Sequence, residues 1–239
     1  MAEQVELFLK IAGLEVRMLC KYPYTERLCA DFLVEGGNPD MSVEVSDAEI
    51  EAEREIELER PFSHGYCEGI CLYRAIAEKL PEFDGFVFHG AAVTVDGRGV
   101  VFAAPSGTGK TTHISLLLQA YPDEVKILNG DKPIIRKIGG KWCLCSTPWA
   151  GKEGWRVNEI APLSAIVLIE RATDNSIVKT PPEENFDAIM RQVYLPRDPE
   201  ASFMTLSLVD EMAGEVEFYR LRCNMENDAA RCSFDALKS

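Results

Sequence analysis

The chain has 239 residues, 46% of them hydrophobic, which is enough apolar material for a packed core and excludes a disordered tail or a fibrous repeat. Its 25 lysine and arginine residues against 39 aspartate and glutamate residues give a net charge of −14. This charge disfavours nucleic-acid and membrane partners, so any anionic ligand must be held by a local site that overcomes it.

Neither the apolar segments nor the cysteines indicate an exported or membrane protein. No stretch reaches the roughly 18 to 20 apolar residues of a membrane span, and residues 1–13 carry acids instead of a basic region, so we expect a cytoplasmic protein. The eight cysteines include no C-x-x-C pair, and we interpret them as reduced thiols in the core. The alternative is metal binding by Cys67 with Cys71, or by Cys143 with Cys145.

Residues 1–82 are predicted to form a β-rich region that ends in a helix and packs on the core. Short alternating patterns, separated by glycine and proline, predict strands at 5–11, 14–19, 30–34, 42–45 and 53–59. In 66–80, apolar side chains recur at helical spacing until just before Pro81, which predicts a helix packed on a sheet. Its apolar face carries Ile70, Tyr73, Ala77 and Leu80.

From residue 83 onward the pattern combines hairpins with helices. Strands at 86–95 and 99–104 meet at the turn signal Asp96-Gly97, and a second hairpin turns at Gly139-Gly140. Further strands are predicted at 125–128, 163–170 and 217–222, and helices at 110–121, 183–191, 203–212 and 227–237. Because the strand before the 110–121 helix lies in a hairpin, we expect a mixed sheet and not the parallel sheet of a doubly wound domain.

The strongest chemical signal is a glycine-rich loop between the strand at 99–104 and the helix at 110–121. It comprises Ser106, Gly107, Thr108, Gly109, Lys110, Thr111 and Thr112. Backbone N–H groups of such a loop surround phosphate oxygens, the lysine bridges terminal phosphates, and the hydroxyl that follows it ligates Mg²⁺. The loop therefore predicts binding of ATP, or of another nucleoside phosphate, with Mg²⁺.

One position departs from the usual loop pattern. Ala104 stands where G-x-x-x-x-G-K-[ST] has its first glycine. Because Pro105 favours extended backbone at the residue before it, we expect alanine to be tolerated there.

The chain resembles a known family in this region. His89-Gly90, the hairpin AAVTVDGRGVVF and the loop APSGTGKTT resemble the stretch that leads into the P-loop (Walker A motif) of HPr kinase/phosphorylases. SGTGKTT is also similar to the kinase loop of ATP-dependent phosphoenolpyruvate carboxykinases. The resemblance implies that 83–239 form a phosphoenolpyruvate-carboxykinase-like P-loop domain of α/β class with a mixed sheet. It also implies phosphorylation of a serine in a small protein or peptide, and assembly of copies into a homo-oligomer.

Asp131 is the strongest candidate outside the loop. It follows the strand after the P-loop helix, where a carboxylate is needed for the metal or for the acceptor hydroxyl, and the alternative is a turn aspartate bonded to its own backbone. The resembled family has two adjacent aspartates here, one a base and one near the metal. This chain has Asp131 followed by Lys132, or Gly130 followed by Asp131, depending on the register of the comparison, so full kinase chemistry requires a second acid from elsewhere.

Two histidines lie near this machinery in the sequence. The resemblance implies that His89 faces the active site from the strand beside the P-loop strand, and the alternative is a structural histidine. His113 falls in the first turn of the P-loop helix. We interpret it as a surface residue, with shielding of phosphate charge as the alternative.

Residues 147–155 are predicted to form a functional loop, because they combine glycines, two tryptophans and both signs of charge. Lys152 or Glu153 would complete a phosphate clamp or replace the absent carboxylate. The alternative is a loop covered by its own aromatic rings. Arg191 and Arg197 are weaker candidates for contacts to the acceptor or the nucleotide.

Two functions remain open. The first is a kinase in which Lys110 and Asp131 act with ATP and Mg²⁺ to phosphorylate a hydroxyl of a protein, a peptide or a small metabolite. The second is a nucleotide-binding sensor that has lost turnover, and the single aspartate is the argument for it. A protein kinase, a peptide kinase and a metabolite kinase differ here only in the acceptor, and no motif above identifies the acceptor.

Overall fold

The computed structural model describes residues 4–56, 62–105 and 107–238, and within them the protein is mixed α/β with two sheets. The small sheet consists of β1 (Val5–Ile11), β2 (Leu14–Cys20) and β3 (Met41–Val43). The large sheet consists of β4 (Gly85–Val87), β5 (Ala91–Val95), β6 (Arg98–Ala103), β7 (Val125–Asn129), β8 (Ile134–Ile138), β9 (Lys141–Cys145), β10 (Ile160–Arg171), β11 (Ser176–Lys179) and β12 (Glu217–Cys223). The helices are α1 (Pro23–Cys29), α2 (Asp47–Arg54), α3 (His64–Lys79), α4 (Lys110–Ala120), α5 (Phe186–Met190), α6 (Pro199–Glu215) and α7 (Asn227–Leu237).

The small sheet has fewer strands than predicted. β1 pairs antiparallel with β2, which pairs parallel with β3. The strand predicted at 30–34 is wrong, because 30–32 form a 3-10 turn directly after α1. The strand predicted at 53–59 is wrong at 53–54, which end α2, and residues 57–59 of that prediction lie outside the described residues. A helix forms here because the side chains of Ser46 and Glu49 accept hydrogen bonds from each other's backbone N–H, which caps the first turn of α2.

The helix predicted at 66–80 is confirmed as α3, which joins the small sheet to the large one. Its buried Leu72 and Ile76 belong to the same apolar cluster as the inner side chains of β1 and β2. That cluster also contains Val87 of β4 and Trp149. One apolar core therefore runs from the small sheet to the β4 edge of the large sheet.

Glu68 of α3 is a fully buried carboxylate at the start of α1. Its Oε1 accepts a hydrogen bond from the backbone N–H of Lys21 at 2.6 Å. Its Oε2 accepts from the N–H of Tyr22 at 3.2 Å and from the hydroxyl of Thr25 at 2.6 Å. Tyr22 precedes α1 without a capping hydrogen bond from its own side chain, so a carboxylate from another helix satisfies donors at this helix start.

Replacement of Glu68 by alanine should lower the free energy of unfolding by about 3 kcal/mol, because three donors would lose their buried acceptor. For a chain of this length the melting temperature should fall by roughly 6 to 12 °C. Thermal denaturation beside the exposed control Glu82→Ala measures the difference. Equal melting temperatures for the two variants would contradict the structural role of this carboxylate.

The two predicted hairpins are confirmed. β5 pairs with β6 across Asp96 and Gly97, whose φ angles of 49° and 79° are the two positive values that a tight hairpin turn requires. β8 pairs with β9 across Gly139 and Gly140. Because β6 and β12 both run parallel to β10, whereas β5 runs antiparallel to β6, the sheet is mixed, as expected.

The strand predicted at 86–95 is wrong as one element. β4 pairs with β8, whereas β5 pairs with β6 and β7, and the chain changes partner over residues 88–90. A Cβ on Gly90 would lie 2.6 Å from Cγ2 of Val101 and 2.9 Å from the carbonyl oxygen of Phe102, so the break requires glycine. His89 therefore lies between two strands and not on one, which frees its side chain from a sheet face.

Among the remaining elements, α4, α7, β7 and β12 match their predictions closely. The helix predicted at 183–191 is instead a 3-10 turn, Pro182–Asn185, followed by the five-residue α5. β11 was not predicted. α6 begins earlier than 203 because the side chain of Asp198 caps it, accepting a hydrogen bond from the N–H of Ala201 at 2.8 Å.

The cysteines all have free thiols, and burial raises the pKa of Cys20, Cys29 and Cys145 to about 12. In the part of the chain that the structure describes, no three histidine, cysteine, aspartate or glutamate side chains form a group that could hold a metal ion. The helices found there are also too short or too polar to cross a lipid bilayer.

Candidate functional site

The glycine-rich loop has the strand–loop–helix setting that the sequence predicts. It follows β6, and α4 begins at Lys110. Gly107 has a φ of 78° and Gly109, the residue before α4, has a φ of 110°, values that side-chain-bearing residues rarely adopt. Ala104 is buried and is not among the residues with positive φ, so alanine fits without strain in place of the usual glycine. Ser106 lies outside the described residues.

Arg171, at the end of β10, hydrogen-bonds to the backbone of this loop. Its Nε donates to the carbonyl oxygen of Thr108 at 2.9 Å, and its Nη2 donates to that of Gly107 at 2.5 Å. A trans peptide directs its N–H opposite to its C=O, so the N–H of Gly109 points away from the guanidinium. Sequence analysis missed Arg171, although a basic residue at the carboxyl end of a predicted strand was a readable signal.

Lys110, His89 and Asp131 form a continuous chain of side chains beside the loop. Nζ of Lys110 lies 3.4 Å from Nε2 of His89, which lies 3.2 Å from Oδ1 of Asp131. A single imidazole nitrogen can donate to Asp131 or accept from Lys110, but not both. Because Asp131 is negatively charged, donation to it is favoured, and the ammonium of Lys110 remains available for a ligand.

Burial and neighbouring charges shift the pKa values of Asp131 and Lys110. Partial burial opposes ionisation of Asp131, but the hydrogen bond from His89 and the ammonium of Lys132, 2.9 Å from Oδ2, hold the pKa of this carboxyl well below its usual value. Burial is the largest effect on Lys110 and lowers its pKa, against the attraction of Asp131. The carboxylate is therefore ionised throughout the physiological range.

Asn129, the last residue of β7, fixes the backbone at Asp131. Its Oδ1 accepts hydrogen bonds from the N–H groups of Asp131 at 2.9 Å and Lys132 at 2.8 Å. Its Nδ2 donates to the carbonyl oxygen of Thr147 at 2.9 Å. Asn129 is fully buried, so this residue, which sequence analysis missed, connects β7 to the 147–155 loop. The alternative prediction, that the Asp131 side chain bonds to the backbone of its own turn, does not describe this turn. The side chain of Asn129 accepts the backbone hydrogen bonds there.

Replacement of Asn129 by alanine should lower the free energy of unfolding by about 2 kcal/mol, because two partly buried backbone donors at the Asp131 turn lose their acceptor and the buried Asn129 amide is lost with its own hydrogen bond to Thr147. The exposed Asn38→Ala variant is the matched control. Chemical denaturation of both variants measures the difference. An unchanged midpoint for the Asn129 variant would show that this turn does not depend on the asparagine.

The 147–155 loop covers the site from one side. The carbonyl oxygen of Trp155 accepts a hydrogen bond from the N–H of Gly130 at 2.8 Å. A Cβ on Gly151 would lie 3.0 Å from Cβ of Asp131 and 3.8 Å from Oε2 of Glu153, so this loop runs directly against Asp131. Lys152 and Glu153 both line the same cavity as Asp131, which is where the sequence placed them.

The glycine-rich loop opens onto a cavity of about 870 Å³. The charged side chains that line it, apart from His89, are Lys110, Lys132, Lys152, Arg171, Asp131 and Glu153. Four of these six are basic, although the whole chain carries a net charge of −14. The cavity is therefore a local reversal of charge, as an anionic ligand requires. Thr111, Thr112, Gly107 and Gly109 also line it.

A second cavity of about 260 Å³ lies on the other side of the loop, where β10 and β12 end. Thr108, Gly109 and Arg171 line it, together with His113, Ile169, Ala172, Cys223, Asn224 and Met225. The prediction that His113 is a surface residue is wrong, because only 3% of it is exposed and α7 covers it. Burial lowers the pKa of His113 to about 4, so its ring is neutral.

The neutral ring of His113 has one nitrogen with a partner in the protein and one without. Its Nε2 lies 3.0 Å from the hydroxyl oxygen of Ser233, which also lies 3.1 Å from the carbonyl oxygen of Ala230. Its Nδ1 is buried without a hydrogen-bond partner among the described residues. Whether Nδ1 donates or accepts depends on the tautomer of the ring.

Two weaker candidates lie away from both cavities. Arg197 uses its backbone N–H to bind the carboxylate of Glu78 at 2.9 Å, and Arg191 is exposed. Neither lines the cavity of the glycine-rich loop or the cavity beside His113.

Comparison with known proteins finds only distant similarity. No protein-family model matches the sequence, and no curated protein matches it. Among solved structures, the HPr(Ser) kinase/phosphatase from Coxiella burnetii is similar, with a TM-score of 0.30 and 12% sequence identity, over 52% of this chain and 88% of that chain. A likeness of this size carries no functional argument, so the function proposed below rests on the residues of the site.

Proposed function

We propose that this protein is a P-loop phosphotransferase that moves the γ-phosphoryl group of ATP to a hydroxyl, with Mg²⁺ as cofactor. The observation that carries the proposal is the convergence of the glycine-rich loop, Lys110, His89 and Asp131 on one cavity with a local excess of basic side chains. In this proposal 83–239 form a phosphoenolpyruvate-carboxykinase-like domain of HPr kinase type, and 1–82 pack on it.

The nucleotide would extend across both cavities. Its triphosphate would lie against the N–H groups of the loop, with Lys110 on the terminal phosphates. Its base would enter the cavity beside His113, at the carboxyl ends of β10 and β12, where ligands of α/β sheets commonly bind. His113 lines this cavity and has an unpartnered Nδ1, which would be available for a hydrogen bond to the base.

Thr111 and Asp131 fit the requirements of Mg²⁺. This ion binds hard oxygen ligands and is usually held by one or two carboxylates, substrate phosphates and water. Asp131 is an ionised carboxylate that lines the same cavity as Thr111. When bound, Mg²⁺ neutralises charge on the transferring phosphoryl group.

In the transfer step, the acceptor's hydroxyl oxygen forms a bond to the γ-phosphorus. The bond between that phosphorus and the bridging oxygen breaks, and ADP leaves with the electron pair. The hydroxyl proton passes to the carboxylate of Asp131, which His89 orients from 3.2 Å. Glu153 lines the same cavity and would supply the second carboxylate that the resembled pattern has beside Asp131.

One observation favours the alternative, a nucleotide-binding sensor. Lys132 forms an ion pair of 2.9 Å with Asp131, and no second aspartate adjoins Asp131 in the sequence. A carboxylate held in this way would be a poor base, and the site would then bind a nucleotide without turning it over.

Phosphate release from ATP separates the two functions. A kinase without its acceptor should hydrolyse ATP slowly with Mg²⁺, because water replaces the acceptor hydroxyl. Hydrolysis should stop when EDTA removes the Mg²⁺. Nucleotide binding with no release of phosphate, at protein concentrations high enough to see single turnovers, would favour the sensor. Absence of both binding and release would contradict the proposal.

A further inference from the structure

Part of the lining of the large cavity comes from the N-terminal region. We call it the tyrosine wall, and it consists of Tyr24 and Leu28 of α1 and Tyr66, Ile70 and Tyr73 of α3. None of these five residues is a lysine, arginine, histidine, aspartate or glutamate, whereas the six charged residues that line the cavity come from α4, the turn after β7, the 147–155 loop and the end of β10. The contribution of α1 and α3 to the cavity is therefore aromatic and apolar.

The tyrosine wall is a built feature of the fold. Glu68 fixes the start of α1 against α3 through three hydrogen bonds. A Cβ on Gly69 would lie 3.4 Å from Cδ2 of Leu28 and 3.6 Å from Cε1 of Tyr24, so the two helices are in close contact at the cavity surface. The indole N–H of Trp149 donates to the carbonyl oxygen of Gly69 at 2.9 Å and ties the wall to the 147–155 loop.

The tyrosine wall also lies within the electric field of the transfer site. Burial, followed by the negative charge of Asp131, raises the pKa of Tyr73. Burial and nearby charges including Asp131 also raise the pKa of Tyr66. Both hydroxyls therefore stay protonated at neutral pH and present neutral hydrogen-bonding groups to a ligand.

Charge and shape together restrict what can bind here. The four basic side chains that line the cavity come from segments other than α1 and α3 and would be used by the triphosphate, and the rest of the chain is strongly acidic. A second anion at the tyrosine wall would meet no cation of that wall. A folded protein needs an extended contact surface of about 800 Å² per partner, whereas a concave cavity of about 870 Å³ has the size of a small-molecule site.

We propose that the tyrosine wall binds the phosphoryl acceptor, and that the acceptor is a small uncharged molecule with a hydroxyl on an aromatic or apolar body. This inference rests on the proposed phosphotransferase function and names its substrate class. The aromatic or apolar body packs on Tyr24, Leu28 and Ile70, and the hydroxyl points toward Asp131. The new P–O bond forms at that hydroxyl, its proton goes to Asp131, and ADP is released.

The test uses three small probes of similar size and one peptide, each added to the full chain with a non-hydrolysable ATP analogue and Mg²⁺. The probes are 4-hydroxyphenethyl alcohol, its anionic relative 4-hydroxyphenylacetate, and glucose, which is uncharged but has no apolar body. The peptide contains a single serine. Saturation-transfer NMR measures binding without requiring turnover. We expect a saturable response from 4-hydroxyphenethyl alcohol, at least tenfold weaker responses from the other three, and stimulation of ADP formation from ATP by the first probe.

A double substitution locates the binding. Tyr66→Ala combined with Leu28→Ala should weaken the response to 4-hydroxyphenethyl alcohol at least tenfold, whereas Tyr219→Ala, on β12 outside both cavities, should leave it unchanged. Stronger binding by the anion, glucose or the peptide, no saturable response from the first probe, or an unchanged response in the double variant would overturn the inference. If the unaltered chain binds no ATP analogue by calorimetry, the proposed function itself fails; if it binds the analogue and not the probe, only the inference fails.

Discussion

Lys110→Ala should weaken binding of a non-hydrolysable ATP analogue about 10- to 150-fold and reduce phosphate release to background. A hydrogen bond to a charged group contributes about 1.5–3 kcal/mol, and Lys110 is the one loop side chain that brings a positive charge to the terminal phosphates. Its side chain lines the large cavity and is not part of the apolar core, so the melting temperature should be unchanged. Calorimetric titration of both proteins measures the change in affinity.

The control for this prediction is Lys126→Ala, which removes the same charge from an exposed position on β7. Equal loss of affinity in both variants would mean that the effect is one of net charge and not of the loop. The pH dependence is a second readout, because burial lowers the pKa of Lys110. The ammonium is lost as pH rises through that lowered pKa, so the affinity of the unaltered chain should begin to fall before the pH reaches 10.5. Lys110→Arg should keep its affinity over this range, because a guanidinium stays charged.

Asp131→Asn should lower phosphate release at least about 100-fold, because an amide of nearly the same shape cannot accept the hydroxyl proton or hold Mg²⁺ by charge. Binding of the nucleotide without Mg²⁺ should be kept or become tighter, since one negative charge beside the phosphates is removed. The gain in affinity that Mg²⁺ gives the unaltered chain should disappear. Titrations with and without Mg²⁺, followed by phosphate release on the same samples, measure all three quantities.

Asp123→Asn, in the exposed turn after α4, makes the same change of charge away from the cavity and serves as the control. Because His89 and Lys132 keep Asp131 ionised well below the usual aspartate range, protonation of this carboxylate should not reduce activity at pH 5. If phosphate release or the effect of Mg²⁺ survives in Asp131→Asn, the role assigned to this carboxylate is wrong.

Local signals in the sequence were sufficient where neighbouring residues decide the structure. The Asp96-Gly97 turn needs two positive φ angles, and the glycine-rich loop needs them at Gly107 and Gly109, so the residues themselves report the backbone. The position of Asp131 after β7 also follows from a strand signal next to a turn signal. These elements predict the centre of the candidate site.

Contacts between distant segments decided what the sequence could not predict. The carboxylate of Glu68 satisfies donors at the start of α1, more than 40 residues away, and Arg171 braces a loop from the end of another strand. The segment at 53–59 alternates apolar and acidic residues like a strand, yet the capping box of Ser46 and Glu49 had already started a helix. The position of His89 between two strands follows from the pairing of β4 and β5 with different strands, which no local signal in the sequence reports.

The tyrosine wall illustrates the same limit for function. Its apolar side chains have helical spacing in α3, which is also the pattern of ordinary core residues. Only their place in the lining of the same cavity as Lys110 distinguishes these side chains from a core stripe. Substrate specificity is therefore a property of the folded arrangement and not of any motif.

The most direct test of the central claim is a calorimetric titration of the full chain with a non-hydrolysable ATP analogue, in the presence of Mg²⁺ and again with EDTA. A nucleotide site formed by Lys110, Thr111 and Asp131 predicts one saturable site per chain whose affinity rises with Mg²⁺. Absence of saturable binding under both conditions would contradict the account.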